Sequence, residues 1–202
     1  MKGKEIRTLE SVEVRSDDES NKMFIEGYAL KYNTWSEDLG GFRETISPDA
    51  LNETDLTDVR CLVDHIPSQI IGRTTAGTLK LTKDEVGLKY RCELPNTNYA
   101  KDLYENMRLG NINQCSFGFM LSEDGDEMRF DKNNNIYQRT LKNISQLTDV
   151  SVVTYPAYKD TDVAPALRSI EMIEKQNEDI AKKERLFQRL RKLQIENNMS
   201  KR

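Results

Sequence analysis

The chain contains a single histidine, His65. That count excludes every site that needs two imidazoles, such as the zinc pair of an H-E-x-x-H helix or a Ser-His-His triad. The segment DVRCLVDH (58–65) is expected to be a buried strand, and period two then puts Val59, Cys61, Val63 and His65 on one face. His65 would sit where that face runs out into a loop, IPSQIIGRT. Taken alone it fits a ring satisfied by a backbone carbonyl better than a catalytic one. Its neighbour Asp64 is a poor orienting partner, because adjacent strand residues face opposite sides.

Two further side chains could do chemistry. In QCSFGFML, Cys115, Phe117, Phe119 and Leu121 share a face that must be core, while Ser116 shares the other with Gly118, where a glycine leaves room for a substrate backbone. Alone, Ser116 fits a surface serine beside a bulge glycine better. In QLTDVSVVT, alternation sets Leu147, Asp149, Ser151 and Val153 on one face. A carboxylate in so apolar a strand needs a partner, because an unpaired buried charge is very costly. Either a histidine that becomes positive during a reaction or backbone N–H groups at a strand end would serve. Asp64, Glu44 and Asp162 are weaker candidates for the same role.

The elements that must position these groups belong to a 202-residue chain, enough for one domain plus an appendage. No apolar run reaches the length of a membrane span and the start lacks a signal-peptide core, so work in a cytoplasm-like compartment is expected. Three cysteines with no C-x-x-C pair argue against a disulfide framework or a zinc knuckle, and no cofactor is expected. The net charge of -4 gives no nucleic-acid footprint. Residues 1–165 hold 20 basic and 28 acidic residues, and residues 166–202 hold 10 and 6, so an acidic domain precedes a basic tail.

Up to residue 165 the texture is strands and turns. Strands are expected over 5–14 and 22–32, over 58–65, in a hairpin of 78–82 and 88–94, and over 112–121 and 144–154. A hairpin turning at 132–135 should lie at an edge. Gly40-Gly41 marks a loop, Ser47-Pro48 opens a short helix, and Asn96 to Leu109 forms a longer one with Tyr99, Leu103 and Met107 on its inner stripe and Gly110 as its stop. A mainly β domain with two or three helices favours a barrel or a sandwich.

The stretches IEGYALKYNTWSEDLGGFRETISPDAL, DVRCLVDHIPSQIIGRTTAGTLKL, GLKYRCELPNTNYAKDLYENMRLGNINQCSFGF and LTDVSVVTYPAYKDTDVA together resemble the prohead (capsid maturation) serine proteases of tailed double-stranded DNA bacteriophages. The resemblance covers about residues 22–168. It implies a β-barrel ringed by helices, distantly similar to the herpesvirus assembly proteases, and a serine endopeptidase acting inside the immature capsid (prohead) in the host cytoplasm. The implied substrates are the scaffolding segment of the major capsid protein and the enzyme itself. His65, Ser116 and Asp149 fall on the catalytic histidine, serine and acidic positions. The herpesvirus relatives use a second histidine where Asp149 stands. Backbone N–H groups near Ser116, Phe117 and Gly118 would stabilise the oxyanion, with Arg73 as an alternative stabiliser, and the peptide would lie along an open strand edge.

Cys115 adjoins Ser116 and raises a cysteine protease as an alternative, but it lies on the face assigned to the core. An esterase is disfavoured because Ser116 lies in no Gly-x-Ser-x-Gly elbow. A non-catalytic capsid assembly chaperone or scaffold is the remaining rival. In the tail, Ile173, Ile180 and Phe187 recur every seven residues, with Leu190 and Leu193 extending the stripe. Either one helix packed on its own domain, a coiled coil joining two copies, or a helix docking on scaffold or shell is expected there. No membrane or nucleic-acid partner is expected.

Overall fold

The computed structural model describes residues 3–10, 12–17, 22–155 and 164–199. The chain divides into two compact units, residues 1–165 and 166–202. In the first, a five-stranded sheet runs in the order β1 (Glu5–Glu10), β9 (Gln114–Leu121), β12 (Ile144–Val153), β5 (Arg60–Val63), β6 (Ile66–Arg73). A four-stranded antiparallel sheet runs β2 (Val12–Asp17), β3 (Lys22–Lys31), β8 (Gly87–Glu93), β7 (Leu79–Lys83). A three-stranded sheet joins β10 (Asp126–Asp131), β11 (Ile136–Leu141) and β4 (Phe42–Ile46).

The five- and four-stranded sheets share one apolar core. Ile25, Tyr90 and Cys92 of one pack in the same buried cluster as Cys61, Cys115, Phe117, Val150 and Val152 of the other. The expected barrel does not close: the strands form three open sheets, and β1 and β6 end the large one without pairing to each other. Nor is a ring of helices present among the described residues of this unit. It has one α-helix, α1 (Asn98–Arg108), and one 3-10 turn, Pro48–Leu51, capped by the Ser47 hydroxyl. Among the described residues, most strands are joined by short turns. On α1, Ala100, Leu103 and Met107 face inward, while Tyr99 turns out and donates its hydroxyl to the Ile70 carbonyl.

Four segments depart from the expected elements. The strand expected over 5–14 is two strands: β1 pairs antiparallel with β9, whereas β2 pairs with β3. Segments expected as loops are β4 and β6; β4 is held by parallel pairing to β11 and β6 by antiparallel pairing to β5. The strand expected to reach residue 65 ends at Val63. By contrast, the hairpin turning between Asp131 and Ile136 forms as expected.

β1 is tied to the three-stranded sheet by buried charge. Arg7 gives Nε and Nη2 to the two oxygens of Glu44 at 2.6 and 2.8 Å, and Nη2 also reaches Glu5 at 2.7 Å. Arg139 donates to Glu5 at 2.5 and 2.8 Å, to Glu44 at 2.7 Å and to Asp126 at 2.7 Å. Burial alone would disfavour both guanidinium charges, but the surrounding carboxylates hold Arg7 and Arg139 above their ordinary range. Removing one member of such a network strands the others without water. Arg139→Ala is therefore expected to lower the unfolding free energy by about 3–5 kcal/mol, read as a fall in the urea midpoint with the slope unchanged.

The second unit is one helix, α2 (Ala164–Met199), 36 residues long. Met172, Ile180, Leu186 and Phe187 are exposed on it. Glu178 and Asp179 lie 3.7 and 3.8 Å from Lys182 along its surface. Among the described residues no helix is long and apolar enough to cross a membrane.

Candidate active site

The site is built on β9, β12 and the turn after β5. In β9, Cys115, Phe117, Phe119 and Leu121 enter the core, so Ser116 and Gly118 take the opposite face. In β12, Leu147, Val150 and Val152 all enter the core, which unbroken alternation forbids. The pairing resolves this: Leu147 opposes Phe119 and Asp149 opposes Gly118, so two residues of β12 advance against one of β9. This bulge at Thr148 resets the phase and aims Asp149 and Ser151 at the Ser116 face. Ser151 directly opposes Ser116.

His65 arrives by a different route from the one expected. Asp64 and His65 form the two-residue connection between β5 and β6, both with left-handed backbones (φ 48 and 56). That conformation suits a tight hairpin but is unfavourable for residues with a Cβ, and such strain persists only where the surroundings enforce it. Asp64 supplies the enforcement. Its N–H donates to the Val152 carbonyl at 2.8 Å, and its carboxylate accepts from the Thr154 N–H at 2.7 Å and the Thr154 hydroxyl at 2.9 Å. The turn is thereby pinned to the end of β12, and the imidazole lies over the sheet.

His65 Nε2 is 2.7 Å from Ser116 Oγ, and Nδ1 is 2.5 Å from Asp149 Oδ2. Facing a carboxylate, Nδ1 must carry a proton. Ser151 Oγ donates to the same Asp149 oxygen at 2.9 Å. The other oxygen, Oδ1, receives Lys4 Nζ at 2.6 Å and the Thr148 hydroxyl at 3.0 Å. Burial works against the Asp149 charge, but the hydrogen bonds and charges of His65 and Lys4 outweigh it and hold the carboxyl well below the usual carboxylate range. The structure thus brings three separated residues into one chain of contacts: hydroxyl, imidazole, carboxylate.

The profile of the Caudovirus prohead serine protease family matches residues 10–176. The chain belongs to that family. It is 28% identical over 178 residues to the prohead protease of Enterobacteria phage HK97, covering 84% of this chain and 72% of that one. A comparison with the bacteriophage T4 capsid assembly protease gives a TM-score of 0.41 at 15% identity over 74% of this chain and 98% of that one.

The remaining candidate residues find different places. Cys115 is buried, its thiol donating to the Tyr28 carbonyl at 3.0 Å, and burial pushes the thiol up to about 12; it cannot supply a thiolate near neutral pH. The Arg73 guanidinium is held by Asp58 at 2.6 and 2.8 Å and borders a groove with Lys22, Ile70 and Glu93. Of the weaker carboxylate candidates, Glu44 belongs to the buried charge network, Asp64 pins the turn, and Asp162 lies outside the described residues. Phe117 and Gly118 lie beside Ser116 in β9, paired on one side with Arg7 and Ile6 and on the other with Val150 and Asp149. Among the described residues no group of three or more His, Cys, Asp or Glu side chains is placed to hold a metal ion.

Three contributors are new to the structure: Lys4, Ser151 and the bulge residue Thr148. The room expected above Gly118 is filled by the Lys4 and Asp149 side chains. A methyl group there would stand 2.5 Å from Lys4 Cε, 2.6 Å from Asp149 Oδ1 and 2.7 Å from Thr148 Oγ1. Gly118→Ala is therefore expected to cut kcat at least tenfold while thermal unfolding stays cooperative, because the carboxylate must move. Lys4→Ala should raise the midpoint at which the Asp149 carboxyl titrates, read by carbon NMR. The sign follows from its direction: stability that a depressed carboxylate contributes is full above the unfolded value of about 3.9 and is lost as pH falls through the folded value. The variant should therefore lose that stability at a higher pH than the unsubstituted chain.

Proposed function

We propose that this chain is a serine endopeptidase that cleaves the scaffolding segment of the phage major capsid protein, and itself, within the immature capsid. The observation that carries the proposal is His65 bridging Ser116 Oγ and the Asp149 carboxylate. A serine hydroxyl is a poor nucleophile unless a base takes its proton as the bond forms. Here Ser116 Oγ would attack the scissile carbonyl carbon while its proton passes to His65 Nε2. The tetrahedral adduct would collapse by breaking the C–N bond, and the same proton would leave with the amine. Water would then repeat the cycle on the acyl-enzyme, restoring the hydroxyl. Asp149 holds the ring with Nδ1 protonated and offsets the imidazolium charge, as the Ser151 hydroxyl fixes the carboxylate in turn. The main-chain N–H groups of Phe117 and Gly118 point to opposite edges of β9, and the one on the β1 edge is the donor proposed for the oxyanion.

The basic, apolar-striped α2 is proposed as the tether. Its exposed Ile180 and Phe187 suit a coiled coil with a second copy or a shelf on the capsid protein, and its positive charge suits an acidic surface.

Incubation of purified capsid protein with the chain should yield a defined shorter product by mass spectrometry. Ser116→Ala should lower its rate by on the order of 10^4-fold or more, and Asp149→Asn by a comparable factor, with near-ultraviolet circular dichroism unchanged. Undiminished cleavage by purified Ser116→Ala would remove the nucleophile. A tight complex with capsid protein and no product would favour the scaffold reading instead.

A further inference from the structure

Ser116 has no solvent exposure. A hydroxyl that must reach the main chain of another protein cannot act from that position. Two groups contact its oxygen: His65 Nε2, and the carbonyl oxygen of Arg7, to which Oγ donates at 2.9 Å. His65 has to stay for the chemistry, so Arg7 has to go.

Arg7 belongs to β1, which occupies the side of β9 next to the nucleophile, with Thr8 opposite Ser116 and Arg7 opposite Phe117. This is where an extended peptide would add to the sheet. The occupant is held in an unreactive pose. Its carbonyl oxygen, not its carbonyl carbon, faces Oγ, and that oxygen competes with His65 for the one hydroxyl proton. Lys4, one residue before the strand, places a second cation on Asp149 at 2.6 Å and so opposes the charge that His65 must gain. The strand is anchored by the Arg7 guanidinium on Glu44.

We propose that residues 5–10 are an internal inhibitor strand: they fill the edge of β9 that receives the extended substrate, and at any moment only the molecules from which they are displaced are active. This rests on Ser116 being the nucleophile. Displacement frees the Ser116 proton for His65, removes Lys4 from Asp149 and opens the β9 edge in a single step. Glu44 remains paired with Arg139, so the anchor site survives the departure.

The test uses the full chain with Glu10→Cys and Gln114→Cys, positions opposed in the β1–β9 register. The oxidised form, its cross-link verified by mass, is compared with the reduced form, and Arg7→Ala is compared with the unsubstituted chain. Two readouts are taken: the rate at which a fluorophosphonate modifies Ser116, and binding of a fluorescent peptide of residues 3–10. The inference expects modification at least tenfold slower when oxidised than when reduced and at least tenfold faster in Arg7→Ala. It also expects the peptide to bind Arg7→Ala and not the oxidised form. Equal, measurable rates in all forms would overturn the inhibitor strand and leave the nucleophile standing. No modification of any form would overturn the nucleophile. Peptide binding then decides the strand by itself: selective binding to Arg7→Ala supports displacement, and none overturns it. Should the cysteine pair fail to fold, the Arg7→Ala comparison decides by the same two readouts.

Discussion

The constraint on which the site depends is a carboxylate placed in the middle of an apolar sheet. Asp149 lies between Leu147 and Val150, both fully buried, and its own side chain is 3% exposed. Desolvation on that scale is affordable only with close, directed partners. It has four: the His65 ring, the Lys4 ammonium, and the Ser151 and Thr148 hydroxyls. They come from three constraints on the chain. Thr148 and Ser151 are there because of a bulge, His65 because of a strained turn, and Lys4 because β1 runs beside β9. The glycine at 118 is required because these groups converge above it.

The same convergence explains why the turn tolerates two left-handed residues. An Asp-His pair is a poor choice for a two-residue hairpin on local grounds, where Asn-Gly would be favoured. Asp64 offsets the strain through three hydrogen bonds, one to Val152 of β12 and two to Thr154 just past its end, so the turn that carries the imidazole is fastened to the strand that carries Asp149. Imidazole and carboxylate are thereby held to one strand end, and β9, between β12 and β1, holds Ser116 beside them.

Much of this is legible in the sequence, and the failures have physical causes. Period two placed Cys115 and both phenylalanines in the core and Ser116 away from it, because β9 is regular throughout. It placed Asp149 and Ser151 together, but its phase broke at Leu147, since a bulge leaves no compositional mark. Local pattern puts His65 at the end of a strand, because a turn of type Asp-His has no glycine to announce it. β4 follows two glycines and β6 contains a proline, so both read as loops until their pairing partners are known. Residues 5–14 look like one strand, yet the halves join different sheets, and the contact between Lys4 and Asp149 spans 145 positions. The barrel expected for the fold fails for a related reason: which edges pair is a long-range property that local pattern does not carry. Where the individual residues leave two readings open, the resemblance of whole segments favours one, since it ranks positions jointly.

Because the chain has one histidine, its ring can be observed without assignment. Nitrogen-15 NMR of imidazole-labelled protein measures which ring nitrogen bears the proton. The account requires a proton on Nδ1, slowed in its exchange by the Asp149 contact and released to rapid exchange in Asp149→Asn. A neutral ring protonated on Nε2, or a spectrum indifferent to Asp149→Asn, would contradict it.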